Sequence, residues 1–113
     1  MGEPSSFCVV LVTTATGDEA RAIAHTLVQQ SLAACVNIVP IQSIYTWDGA
    51  VQEDSEWQLI IKTRTSCWTA LEQTIRSLHP YDVPEMICLP IEAGFAPYLS
   101  WITEMTSPNQ LPQ

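Results

Sequence analysis

The chain has 113 residues, 47% of them apolar and only 14% charged, and its net charge is −8. Four cations, Arg21, Lys62, Arg64 and Arg76, are too few to neutralise a phosphate backbone, which excludes nucleic acid as a partner. The charge shortage against the roughly 25% usual for soluble domains, together with four tryptophans, predicts that part of the surface is covered by further copies.

The length suits one domain over 1–113, with a core over about 7–105 and loose ends at 1–5 and 107–113. Phe7 to Thr14 is an apolar run that suits a strand covered on both faces. Thr16 and Glu19 have the spacing of a capping box, and Ala20, Ile23, Ala24, Leu27 and Val28 then recur at helical spacing. That helix is expected to end near Gln30 to Leu32. Val36 to Trp47 reads as a long strand, and Pro40 makes it an edge or places a bulge in it.

Asp48-Gly49 is a hairpin turn, and Val51 to Thr63 returns. The outer half of the return is polar and is expected to project beyond the sheet. The inner half (Trp57, Leu59, Ile60, Ile61) is expected to be buried. A second helix follows, capped by Thr65 or Ser66, with Trp68, Leu71, Ile75 and Leu78 on one face. Pro80 and Pro84 close it, and Met86 to Ile91 makes the last strand. Pro97 opens a short helix carrying Tyr98, Trp101, Ile102 and Met105.

This βαββαβ order gives an α+β, ferredoxin-like fold: a four-stranded antiparallel sheet with two helices on one face, an extended β-hairpin and a short C-terminal helix. The projecting hairpin and its proline edge suit an arm that reaches a neighbouring subunit.

Several side chains compete for a chemical role. Lys62, the only lysine, ends the run Leu59-Ile60-Ile61 and could hold an anion, or instead snorkel to solvent or pair with Glu56 or Asp82. Cys35 could bind a soft metal or serve as a packing thiol, since nothing basic is near it in sequence. His79 at a helix exit could cap that helix or contact a metal or ligand. The four cysteines lack any C-x-x-C spacing and no membrane-length apolar segment is present, so a reducing cytoplasm is the expected home. Nucleophile and phosphate-loop motifs are absent, and no catalytic step is expected. An acylphosphatase-like hydrolase using Arg21, Arg64 and Asn37 is the enzymatic alternative, and a purely structural trimer is another.

Four segments in order carry a resemblance. They are Leu32-Ala33-Ala34-Cys35-Val36-Asn37, then Tyr45-Thr46-Trp47-Asp48-Gly49 with Glu56 and Lys62-Thr63, then His79-Pro80-Tyr81-Asp82-Val83-Pro84-Glu85, and last Tyr98-Leu99-Ser100-Trp101-Ile102. With them the chain resembles the CutA family of divalent-cation tolerance proteins over roughly residues 7 to 105. The resemblance implies a tight homotrimer locked by its hairpins, similar to the PII-type signalling proteins, with ligand clefts between subunits. It implies copper or divalent-cation binding and a response to metal ions. It places Tyr45, Trp47, Glu56, Lys62, Tyr81, Tyr98 and Trp101 near the cleft, while the candidate metal ligands read from the residues themselves are His79 with either Cys35 or Cys8. The chain departs from the family where copper ligands are ascribed: those positions read Val12 and Leu78-His79, so His79 alone of the three is present.

Overall fold

The computed structural model describes residues 6–108; the ends expected to be loose fall outside it, except Ser107 and Pro108. The order is β1 (Phe7–Thr14), α1 (Gly17–Gln29), β2 (Cys35–Trp47), β3 (Ala50–Arg64), α2 (Trp68–Leu78), β4 (Met86–Pro90) and α3 (Ala96–Met105). The four strands form one antiparallel sheet in the order β2-β3-β1-β4. Each helical crossover therefore skips one strand, as two interleaved βαβ units require.

Strand alternation divides the sheet into two unlike faces. Val10, Val12, Leu59 and Ile61 point to one side and pack under Ile23 and Leu27 of α1 and Leu71 and Ile75 of α2. The opposite side carries Val9, Leu11, Ile60, Ile87 and Leu89. There α3 covers one end only, where Leu99 and Ile102 pack on Phe7 and Ala34.

Local chemistry accounts for the element ends. Thr16 Oγ1 accepts the Glu19 N–H at 3.1 Å and Glu19 Oε1 accepts the Thr16 N–H at 3.3 Å, so the expected capping box is formed. Helix α1 stops at Gln29, slightly short of expectation, because Ser31 turns to φ 58° and the Leu32 and Ala33 N–H groups both reach back to Leu27 O.

The second helix differs from expectation at both ends. Neither Thr65 nor Ser66 caps it. A 3-10 turn (Thr65–Cys67) leads in, and Cys67 occupies the cap position without a side-chain bond. Leu78 is not on the buried face but is 45% exposed, because the helix ends there and His79 turns to extended geometry.

Pro40 lies on the outer strand and pairs opposite Trp57 in an unbroken register, so the edge alternative holds and no bulge forms. Asp48 and Gly49 both take positive φ (56° and 79°), which closes the hairpin in a two-residue turn between Trp47 and Ala50. β1 pairs only with Trp57–Arg64 of β3, leaving Ala50–Glu56 paired to β2 alone. The polar half of the hairpin is thus a free two-stranded arm of about 23 Å. Within the inner half Leu59 and Ile61 are buried, whereas Trp57 and Ile60 are only half-buried. Ile60 points to the uncovered face, a consequence of the period of two that the continuous apolar run conceals.

Candidate functional site

The arm and the corner after α2 enclose an open groove of about 930 Å3. The register brings Tyr45, Trp47 and Glu56 from the arm to its wall, and the proline-bounded corner supplies Tyr81, Asp82 and Glu85. Hydroxyl groups bind three of the carboxylates in and beside it. The Tyr45 hydroxyl donates to Asp54, the Tyr81 hydroxyl donates to Glu56 Oε2 at 3.4 Å, and Thr13 Oγ1 donates to Glu85 Oε1 at 3.1 Å. These acceptors favour the neutral phenols. Tyr45 is pushed up to about 12, first by its hydrogen bond to Asp54. Tyr81 is raised chiefly by desolvation and then by the charge of Glu56.

The corner is held by His79, which is 7% exposed. Its backbone N–H closes α2 on Ile75 O at 2.8 Å, as a capping residue does. The ring serves another purpose. Nδ1 accepts the Tyr81 N–H at 3.1 Å and Nε2 lies 2.8 Å from Thr13 O. A carbonyl can only accept, so Nε2 carries the proton and the ring is the neutral tautomer. The imidazole also packs 4.8 Å from the Tyr81 ring, and so fixes the aromatic wall of the groove.

The remaining residues expected in the cleft lie at the other end of the sheet. Lys62 pairs neither with Glu56 nor with Asp82. Glu56 is six residues away along the same strand, about 20 Å. Its ammonium is instead hydrogen-bonded to Asn37 Oδ1. Cys35 stands directly opposite Lys62 in the register, so the sole lysine is its cross-strand neighbour, a proximity that linear distance hid. Tyr98 and Trp101 stack at 5.5 Å on α3, and Tyr98 is raised by desolvation and by nearby Cys35. Seven residues expected in one cleft thus form two half-sites, an acidic aromatic one on the arm and a lysine-bearing one beside α3. In sequence Asn37 stands out only for the hydrolase alternative and the family segment, and Thr13 and Asp54, which orient the arm side, do not stand out as site residues.

A metal held by His79 and Cys35 does not fit this geometry. His79 belongs to the Thr13 end of β1 and Cys35 to the end where Val9 opposes Lys62, about 13 Å apart along the strand. Both ring nitrogens of His79 are engaged, and among the described residues no three His, Cys, Asp or Glu side chains form a group that could hold an ion. Cys8 is likewise a packing thiol, pushed up to about 12 by burial and by Cys88 beside it. The hydrolase residues are also dispersed. Arg21 pairs with Asp18 near Trp57, whereas Arg64 donates to Thr106 at the opposite end of β3.

Residues 8–105 match the family described as CutA1 divalent ion tolerance protein. The divalent-cation tolerance protein CutA of Thermus thermophilus is 50% identical over 99 residues, covering 87% of this chain and 96% of its own. The crystal structure of CutA1 from Oryza sativa superposes with a TM-score of 0.89 at 44% identity, covering 95% of this chain and 99% of that one. A periplasmic divalent cation tolerance protein CutA from Archaeoglobus fulgidus superposes at 0.87 with 34% identity, covering 89% and 99%. The chain belongs to the CutA1 divalent ion tolerance family.

Proposed function

We propose that this protein is a homotrimeric binding or signalling module of metal-ion tolerance, with no catalytic step. Its ligand cleft joins the arm groove of one subunit to the Lys62 end of the next. The observation that carries this reading is the separation of the two half-sites by about 20 Å within one chain. Contacts of unlike patches, head to tail, close into rings, and a ring of copies brings one end of each subunit against the other end of its neighbour. The sheet face that α3 leaves bare supplies the apolar surface such packing needs: Ile87 and Leu89 are 45% and 44% exposed.

Tolerance in this reading runs through a bound small molecule or a partner response, because the His79 and Cys35 donor set does not fit a metal. Copper titrated into wild type and into His79→Ala is expected to give the same stoichiometry; a site lost with the imidazole would restore the metal reading. The compartment is proposed to be cytoplasmic, on the four cysteines without paired spacing. No helix of the described residues is long and apolar enough to cross a membrane. Sedimentation velocity at micromolar concentration tests the assembly: three chains are expected, and a monomer would remove the shared cleft.

A further inference from the structure

We infer that the arm half of the cleft recognises the cationic head of a small organic molecule, an alkylammonium carrying apolar substituents. This rests on the cleft reading above and names the class of ligand for it.

Three features of the groove converge on that chemistry. Among the described residues its lining includes Glu56, Asp82 and Glu85 and no Lys, Arg or His, so its carboxylates face no cation there. The hydroxyls that bind Glu56 and Glu85 are neutral donors. Each fixes a carboxylate and leaves its negative charge in place. The charge of Glu56 also reaches Tyr81, whose phenol is raised first by desolvation and then by that charge.

The second feature is aromatic. Trp47 is 69% exposed, and Tyr45 and Tyr81 are each 41% exposed, on a wall that the hairpin and the His79 corner hold in place. Such rings present negative π-faces, with Trp the strongest, and attract an ammonium that has shed its water.

The third feature separates an organic cation from a metal ion. Ile44 and Val83 complete the lining, and their methyl groups suit N-alkyl groups rather than a hydrated ion. The carboxylates do not gather into a donor set for an ion. At about 930 Å3 the groove also has the size of a small-molecule site rather than an ion site.

The test uses the assembled wild-type protein, with choline as the probe and 3,3-dimethyl-1-butanol as its neutral counterpart of the same shape. Calorimetry and the indole N–H signal of Trp47 report binding at constant ionic strength. Choline is expected to saturate and to bind about tenfold more tightly than the alcohol, with a similar loss in Trp47→Leu and in Glu56→Gln. Equal binding of the two compounds would overturn the cationic assignment and leave the cleft standing. So would an unchanged affinity in Glu56→Gln, or complete displacement of choline by magnesium, since either would mean a diffuse ion atmosphere. Choline binding seen only in Lys62→Met would mean that Lys62 of a second copy fills the groove, which also overturns the inference. No binding to an assembled trimer rejects the cation class, whereas a monomer in sedimentation rejects the cleft beneath it.

Discussion

The two faces of the sheet are built from the same strands with opposite results. Beneath α1 and α2, Val10, Val12, Leu59 and Ile61 have no solvent exposure at all. One residue along each strand the parity changes, and Val9, Leu11 and Ile60 on the other face are only half-covered, beside Ile87 and Leu89. The covered face explains why one chain folds. The bare face is apolar enough to make a strand covered on both sides, yet one chain covers it only where α3 lies. Burying such surface is favourable by about 25 cal/mol per Å2, so association offers what the monomer leaves unused.

Substitutions on the two faces are expected to separate these roles. Leu59→Ala removes a fully buried side chain between two helices and is expected to lower stability by about 2–5 kcal/mol in denaturant melts. It should leave the number of chains per particle unchanged. Ile87→Glu places a charge on the bare face, where a lone subunit has water to solvate it. The variant should keep its helical and strand circular dichroism but sediment as smaller species. If Ile87→Glu assembles like wild type, the bare face is not the interface.

The same contrast explains what the residues disclosed on their own. The capping box and the Asp-Gly turn follow from local rules that act within a few residues and were legible, and Pro40 was legible as an edge or a bulge. Parity was harder. A continuous run such as Leu59-Ile60-Ile61 reads as wholly buried, because hydropathy does not say which face a helix will cover. Of the residues expected in the cleft, Tyr45, Trp47, Glu56 and Tyr81 line the groove, an arrangement that no local pattern disclosed. Lys62 read as an anion holder, a solvent-facing side chain or a partner of Glu56 or Asp82, whereas the register gave it Asn37 and Cys35. His79 read as a helix cap or a metal ligand, and only the fold revealed Thr13 O as the acceptor of its ring proton. Contacts such as these, 66 residues apart for His79, leave no local pattern to read.

His79 joins the covered core to the groove, so its removal should affect both, by less than a core deletion. His79→Ala leaves the Thr13 carbonyl and the Tyr81 N–H without their partner and is expected to cost about 1–3 kcal/mol. The Tyr81 ring should also lose its fixed position, which ring-proton line shapes in NMR would report. A variant with unchanged stability and an unchanged Tyr81 would mean that the corner is held by its prolines alone.

The smallest expected effect belongs to the arm, which lies outside both faces and is open to solvent. The phenol of Tyr45 donates to Asp54, and ionising it would set two negative charges side by side. Its pKa is therefore raised to about 12 from the ordinary 10. A group raised on folding favours the folded state below its unfolded pKa, and that contribution disappears as pH climbs from about 10 through about 12. Because the residue is exposed, the effect on stability is small and the titration itself is the better measurement. Absorbance at alkaline pH, resolved by Tyr45→Phe, should place Tyr45 last, and Asp54→Asn should bring it back towards 10. In a lone chain Tyr98, at the far half-site and raised by desolvation and Cys35, would not respond to Asp54→Asn. In the proposed ring the two half-sites face each other across a subunit boundary, so a small shift in Tyr98 is expected in the assembled protein, and its absence there would count against the shared cleft.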